Sequence, residues 1–175
     1  DGTDWHFIKD SGFLGEVKKL ATDGTSIYVS HENCPNLTQN CEPLMRFAGE
    51  QWFTMGGVFK DPPRDLEVIG FDLYVVGNTL VNNSFLASTI AKWDESNWEI
   101  ISTTTISVYS NLTSISDQLF IWQFGGQTGL FTLVNGNISD NLGPFFTNYK
   151  TASFQKSNKS YNNLKSYLKQ KTGTY

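Results

Sequence analysis

The chain is poor in cysteine and histidine, and it has no long apolar run. Its 175 residues include two cysteines and two histidines. No apolar stretch approaches the roughly 20 residues that a transmembrane helix needs. His6 and His31 are the only imidazole bases, so the sequence offers few candidates for the base of a nucleophilic catalytic triad. The chain starts at Asp1 and shows no signal peptide, so we expect a mature or excised piece of a longer precursor.

The two cysteines lie close together, in the segment Cys34-Pro-Asn-Leu-Thr-Gln-Asn-Cys41. We predict a disulfide that closes this short loop and stabilises the chain by about 2–3 kcal/mol, with free thiols as the alternative. A metal site is a third interpretation, because His31 lies three residues before Cys34. No fourth ligand is evident, however, and we predict no metal and no cofactor.

Acidic residues are missing from the end of the chain. Residues 1–144 carry all 17 acids and 7 of the 13 bases, a net charge of −10, whereas residues 145–175 carry six lysines. This basic tail could bind an anionic partner, dock on the acidic body or stay mobile. Its lysines are not interleaved with arginines, so we expect no nucleic-acid partner.

Aromatic residues are abundant, and a 46-residue repeat organises them. Phe, Tyr, Trp, Thr, Val and Ile favour strands, whereas Gly and Asn supply turns, so we predict an all-β chain. One strand pattern occurs three times, as Ile27-Tyr28-Val29, Leu73-Tyr74-Val75 and Leu119-Phe120-Ile121. A leucine precedes each copy by seven residues: Leu20, Leu66 and Leu112. We therefore expect these leucines on equivalent strands.

Each repeat offers four short strands, at about 66–70, 72–77, 89–93 and 98–102 in the second copy. Four antiparallel strands at this period, with a recurring aromatic, are typical of a β-propeller blade. The repeated leucine, tyrosine or phenylalanine, and tryptophan side chains are then expected to pack between neighbouring sheets.

The repeat also predicts the domain organisation. Residues 1–13 are interpreted as the end of a preceding blade, and residues 16–59, 65–106 and 108–144 as three blades. Residues 145–175 form the basic tail, which could be a partial blade, a short helix or disordered. Closed propellers typically use 4–8 blades, so we predict an incomplete ring.

One pattern resembles a known family. The strand Leu73-Tyr74-Val75, a variable loop and then Ile90-Ala91-x-Trp93-Asp94-x-x-x-Trp98 resemble the kelch-like propeller repeats of secreted and cell-surface proteins. These include fungal cortical polarity-marker proteins and bacterial surface proteins. The resemblance covers roughly residues 1–144, although no tryptophan follows Asn135-Gly136 in the third copy. It implies a propeller that serves display or binding within a larger extracellular protein.

Five Asn-x-Ser/Thr sequons mark candidate glycosylation sites: Asn36, Asn82, Asn111, Asn137 and Asn158. We predict all five to be exposed, with Asn111 just before the first strand of the third blade and Asn137 in a hairpin turn. Together with the disulfide, the sequons indicate a secretory compartment and an extracellular or cell-surface location.

We therefore predict a non-catalytic module for binding or structural assembly, such as adhesion, a surface scaffold or a filament subunit. Its expected partners are N-linked glycans, other chains or the rest of the same polypeptide, and a glycan or anionic ligand. The alternative is the propeller of a secreted carbohydrate-active enzyme. Asp61, Asp65 and Glu67 are the acids that such an enzyme could use, but we interpret them as solvated loop charges. We expect function to reside in the unequal loops 30–43 and 77–88.

Overall fold

Three antiparallel sheets make up the described part of the chain. A computed structural model describes residues 16–32, 42–56, 59, 61–81, 85–104, 107–125, 128–134 and 137–138. Within these ranges the regular secondary structure consists of β-strands, and no helix occurs. The predictions of an all-β chain and of four-stranded antiparallel sheets are confirmed. The predictions for segments 1–13 and 145–175 fall outside the described residues.

The first sheet contains β1 (Val17–Thr22), β2 (Ile27–His31), β3 (Leu44–Ala48) and β4 (Gln51–Thr54). The strands lie in chain order, and each pairs antiparallel with the next. Alternation of side chains directs Tyr28 to one face of this sheet and Val29 to the other, and both are buried.

The second sheet contains β5 (Asp65–Ile69), β6 (Asp72–Val81), β7 (Phe85–Trp93) and β8 (Trp98–Thr104), again in chain order. The prediction that 77–88 is a loop was wrong, because β6 and β7 continue to the pair Val81 and Phe85. Polar residues extend this hairpin: the hydroxyl oxygens of Thr79 and Thr89 are 2.7 Å apart and buried.

The third sheet contains β9 (Ser107–Ile115), β10 (Gln118–Gly125), β11 (Gly129–Val134) and β12 (Asn137–Ile138). It has the same order and the same antiparallel pairing. Val134 pairs with Asn137, so only two residues connect β11 to β12, as the Asn-Gly dipeptide at 135–136 predicts.

The three sheets share one register. The repeated leucines pair with equivalent residues of the second strands: Leu20 with Val29, Leu66 with Val75 and Leu112 with Ile121. The prediction that these leucines lie on equivalent strands is confirmed. The 46-residue period thus describes the backbone pairing as well as the sequence.

Tight turns with positive φ close the hairpins. Gly49 and Glu50 have φ of 54° and 66°, and Ser116 and Asp117 have φ of 50° and 62°. Two successive residues with positive φ match the right-handed twist of the strands that they join. Only Gly49 adopts this conformation without a side-chain penalty.

Apolar side chains fill the spaces between successive sheets. One buried cluster joins the first and second sheets and includes Tyr28, Leu44, Leu66 and Val75. A second cluster joins the second and third sheets: Val76, Ile90, Tyr109, Leu112, Leu119, Ile121 and Phe131. The leucine of each first strand therefore packs against the preceding sheet, in the second and third sheets alike.

Phe59, in the connection between the first two sheets, completes the first cluster. Its side chain is almost fully buried, and a Cβ added at Gly77 would lie 2.6 Å from Phe59 Cδ1. The Phe59 ring also packs edge-on against Trp98, with centroids 5.6 Å apart. Glycine at position 77 leaves the space that the aromatic ring occupies.

Candidate functional site

The first strands of the three sheets bring together residues that are 46 positions apart. β1 lies against β5, and β5 lies against β9. Lys19 Nζ is 3.1 Å from Asp65 Oδ1, and Asn111 Nδ2 donates a long hydrogen bond of 3.5 Å to Asp65 Oδ2. We call Lys19, Asp65 and Asn111 the first-strand row. The row places a base, an acid and an amide at equivalent positions of three successive sheets.

The acidic side chains of β5 join the second sheet to the third. Asp65 Oδ2 accepts a hydrogen bond from the Leu112 backbone N–H at 2.9 Å. Glu67 Oε1 accepts one from the Ser114 backbone N–H at 3.0 Å and another from the Ser114 hydroxyl. These two backbone donors face away from β10, and the carboxylates satisfy them. Sheet stacking is therefore fixed by polar as well as apolar contacts.

The prediction of solvated loop charges was wrong for Asp65 and Glu67. Both residues lie in β5, and the Asp65 side chain is only 14% exposed. Asp61 lies before the strand, where its Oδ2 accepts a hydrogen bond from Asn78 Nδ2 at 3.0 Å. Alternation places both carboxylates on the face opposite Leu66, where they bond the third sheet, and Asp65 also pairs with Lys19 of the first sheet.

Arg64 makes a second polar link between these sheets, at the start of β5. Its guanidinium donates to Ser88 Oγ and to the Tyr109 carbonyl, each at 3.3 Å, and to Asn78 Oδ1. Ser88 Oγ in turn accepts from the Tyr109 backbone N–H at 2.9 Å. Burial lowers the pKa of Arg64, and nearby Asp61 opposes this shift. The guanidinium thus contacts the β6–β7 hairpin of the second sheet and β9 of the third sheet.

Replacing Asp65 by alanine is expected to lower the free energy of unfolding by about 1–3 kcal/mol, because the Leu112 N–H loses its acceptor. Urea unfolding of the two proteins measures this difference. Asp72→Ala is the matched control, since Asp72 is partly exposed and its Oδ2 lies 3.6 Å from Lys92 Nζ. A surface ion pair of that kind contributes only about 0–1 kcal/mol. Equal losses in the two variants would contradict the linking role of Asp65.

Two aromatic pairs occupy equivalent places on the outer strands. Phe47 and Trp52 have ring centroids 5.0 Å apart, and Trp93 and Trp98 have centroids 5.3 Å apart, both with an interplanar angle of 51°. Trp98 Nε1 donates to the Met55 carbonyl at 2.6 Å, across to the end of the first sheet. Trp93 and Trp98 both pack on the first buried cluster, so the prediction of tryptophan packing between sheets is confirmed for them.

Asp94 of the Trp93-Asp94 motif stabilises a turn. Its Oδ1 accepts hydrogen bonds from the backbone N–H groups of Ser96 and Asn97, at 3.1 and 2.8 Å. These bonds lower the pKa of the Asp94 carboxyl. The motif therefore has a structural role at the β7–β8 connection.

Two of the five sequon asparagines lie within the described residues. Asn111 was predicted just before the first strand of the third sheet, and this prediction was wrong. It lies inside β9, which begins earlier, and it is exposed. Asn137 is exposed at the start of β12. The other predicted sites lie outside the described residues, as does most of loop 30–43: Cys34, Cys41, Asn36, Asn82 and Asn158.

His31 is fully buried at the end of β2. The shared register makes it equivalent to Gly77 in the second sheet and to buried Gln123 in the third. Burial lowers the pKa of His31 below 6.5, while a hydrogen bond with the Glu42 backbone acts in the opposite direction. The neutral imidazole is therefore the form that the folded chain favours.

This burial predicts that stability falls as the pH drops below about 6.5, the pKa of an unperturbed histidine. The unfolded chain then binds a proton more readily than folded His31, so the free energy of unfolding decreases until the pH passes the lower folded pKa. His31→Gln, which copies Gln123, is expected to reduce this dependence. The difference in urea midpoint between the two proteins, measured from pH 7.5 to 5, tests it. A difference that is constant with pH would contradict the role of His31.

Among the residues that the structure describes, no group of three or more His, Cys, Asp or Glu could hold a metal ion. The same ranges contain no helix with the length and apolar content that a membrane crossing requires. A comparison with protein-family models and a search of curated proteins found no match to this chain.

Sequence reasoning missed the first-strand row and Arg64. The row carried a usable signal, because Lys19, Asp65 and Asn111 share the 46-residue spacing of the leucines that follow them. Arg64 carried no comparable signal, since its partners come from three separate strands.

Proposed function

We propose that the chain is a non-catalytic module of an extracellular or cell-surface glycoprotein. Its kelch-like β-propeller blades serve protein binding or structural assembly within a larger protein or filament. N-linked glycans decorate its surface, and a disulfide joins Cys34 to Cys41. Other chains, or further parts of the same polypeptide, are its partners, with a glycan or an anionic molecule as a ligand.

The observation that supports this proposal best is the use of the β5 carboxylates. Asp65 and Glu67 bind backbone donors of the next sheet. Acids that stabilise stacking in this way suit a scaffold, whereas glycoside hydrolysis requires carboxylates directed at a bound sugar. The common register and the apolar clusters between sheets further support repeated blades.

Secreted expression in eukaryotic cells tests the glycoprotein proposal. We expect an intact mass above the 19.7 kDa of the bare chain. Treatment with an N-glycosidase should remove the excess mass. Asn137→Gln should lose the mass of one glycan. Asn97→Gln is the matched control, because Asn97 is also exposed but belongs to no sequon. A secreted protein with the mass of the bare chain would contradict this part of the proposal.

A further inference from the structure

Apolar side chains are exposed at one end of the third sheet. Phe124 is 44% and Val108 is 41% exposed, and the two residues are paired across β10 and β9. Trp122 is partly exposed, and its ring meets that of Phe124 edge-on with centroids 5.7 Å apart. Alternation places these residues opposite Ile121, which packs toward the second sheet. Phe120, the next residue on their face, is buried, so the exposed surface is confined to this end.

Asn111 lies directly beside this surface. It pairs with Trp122 across the sheet, and residues paired in this way share a face, with Cβ atoms about 4.5–5.5 Å apart. Asn111 is exposed and begins the sequon Asn111-Leu112-Thr113. Its Oδ1 accepts a hydrogen bond from Ser110 Oγ at 3.1 Å, and its Nδ2 donates to Asp65 at 3.5 Å. An amide nitrogen carries two protons, so a sugar can replace one while the other still donates to Asp65.

We propose that Asn111 carries an N-glycan whose first sugar packs against the ring of Trp122. This inference rests on the proposed glycoprotein function and names one site and one contact of it. An oligosaccharide that is transferred from a lipid diphosphate forms a bond between its anomeric carbon and Asn111 Nδ2. The amide loses one proton to solvent, and the lipid diphosphate is the leaving group.

The chemistry of the two surfaces favours this contact. One face of a pyranose ring presents C–H groups with a partial positive charge, whereas the face of an aromatic ring carries a partial negative charge. The sugar also removes apolar area of Trp122 and Phe124 from water. Asn137, the other described sequon asparagine, pairs instead with the aliphatic residue Val134. We therefore expect the glycan on Asn111, and not the one on Asn137, to stabilise the fold.

Thermal unfolding of the full chain secreted from eukaryotic cells tests the proposal, with chain from the bacterial periplasm as the form without N-glycans. Both compartments are oxidising, so the two forms differ in their glycans. Thr113→Ala removes the sequon but leaves Asn111 and its contact with Asp65. We expect it to lower the Tm of the secreted form by about 2–4 °C more than that of the bacterial form. Thr113→Ser keeps the sequon and is the matched control, with equal shifts in the two forms.

Substitutions of Trp122 test whether the sugar contacts this ring. Trp122→Leu should abolish the extra effect of Thr113→Ala in the secreted form, whereas Trp122→Phe keeps an aromatic ring and should retain most of it. Each variant is compared in both forms, so a loss that arises from the tryptophan itself cancels. Asn137→Gln removes a glycan without an aromatic partner and should shift the Tm of both forms equally.

Mass spectrometry of proteolytic peptides separates the failure of this inference from that of the glycoprotein proposal. An unmodified Asn111 in a chain with glycans at other sequons would overturn the inference alone, whereas a secreted chain without any glycan would overturn both. Equal effects of Thr113→Ala in the two forms, or an undiminished extra effect in Trp122→Leu, would overturn the contact with Trp122.

Discussion

Replacing Phe59 by alanine is expected to lower the free energy of unfolding by about 3–5 kcal/mol. The Phe59 ring is almost fully buried between the first two sheets, where it contacts Trp98 and fills the space beside Gly77. Truncation removes this apolar contact and leaves a cavity that strands on both sides hold open. Urea unfolding followed by tryptophan fluorescence measures the loss.

Phe71→Ala is the control for Phe59→Ala, since both remove the same ring and Phe71 is largely exposed. Its effect is expected to stay within about 0.5 kcal/mol. Gly77→Ala approaches the same site from the other side. The added methyl group would displace the Phe59 ring and cost about 1–3 kcal/mol. If Gly77→Ala were as stable as the parent chain, the ring would not occupy the place described for it.

Leu66→Ala is expected to cost about 2–5 kcal/mol, because Leu66 is buried against the first sheet. Leu20→Ala removes the same atoms at the same register position and is expected to cost under about 0.5 kcal/mol in the isolated chain. The comparison isolates the effect of a preceding sheet on an otherwise equivalent leucine. Chemical denaturation of each variant and of the parent chain measures both losses.

The outcome of this comparison bears directly on the proposed stacking. A large loss for Leu66→Ala alone supports burial by sheet-to-sheet contact. Similar losses for the two variants would mean that β1 and β5 are covered alike, and the difference in exposure would then not reflect stacking. Leu112→Ala should behave as Leu66→Ala does, since Leu112 lies in the second buried cluster.

Periodicity made most of the described fold predictable. The spacing of Leu20, Leu66 and Leu112 placed three equivalent strands, and the strand pairing confirms their register. A hairpin repeats its register when apolar alternation and turn positions repeat, and both are local properties. The extent of β6 and β7 was not predictable in this way, because Thr79 and Thr89 support the longer hairpin through a contact between strands.

The candidate site was harder to predict than the fold. Asp65 and Glu67 look like ordinary charges in the sequence, and their role depends on backbone donors of β9 that are 47 residues away. Asn111 likewise lies 46 residues from Asp65, its partner in β5. Carboxylates near a connection fit a solvated loop equally well until the neighbouring strand is in place.

The sequence by itself determined the all-β character, the period of the repeat and the register within each sheet, because side-chain alternation and turn residues act over short distances. The tertiary structure decided which equivalent residues are buried and which are exposed. Leu20 and Leu66 have equivalent register positions, yet within the described ranges a sheet packs against Leu66 and none packs against Leu20. Burial depends on the neighbouring surface, and no local pattern specifies whether that surface is present.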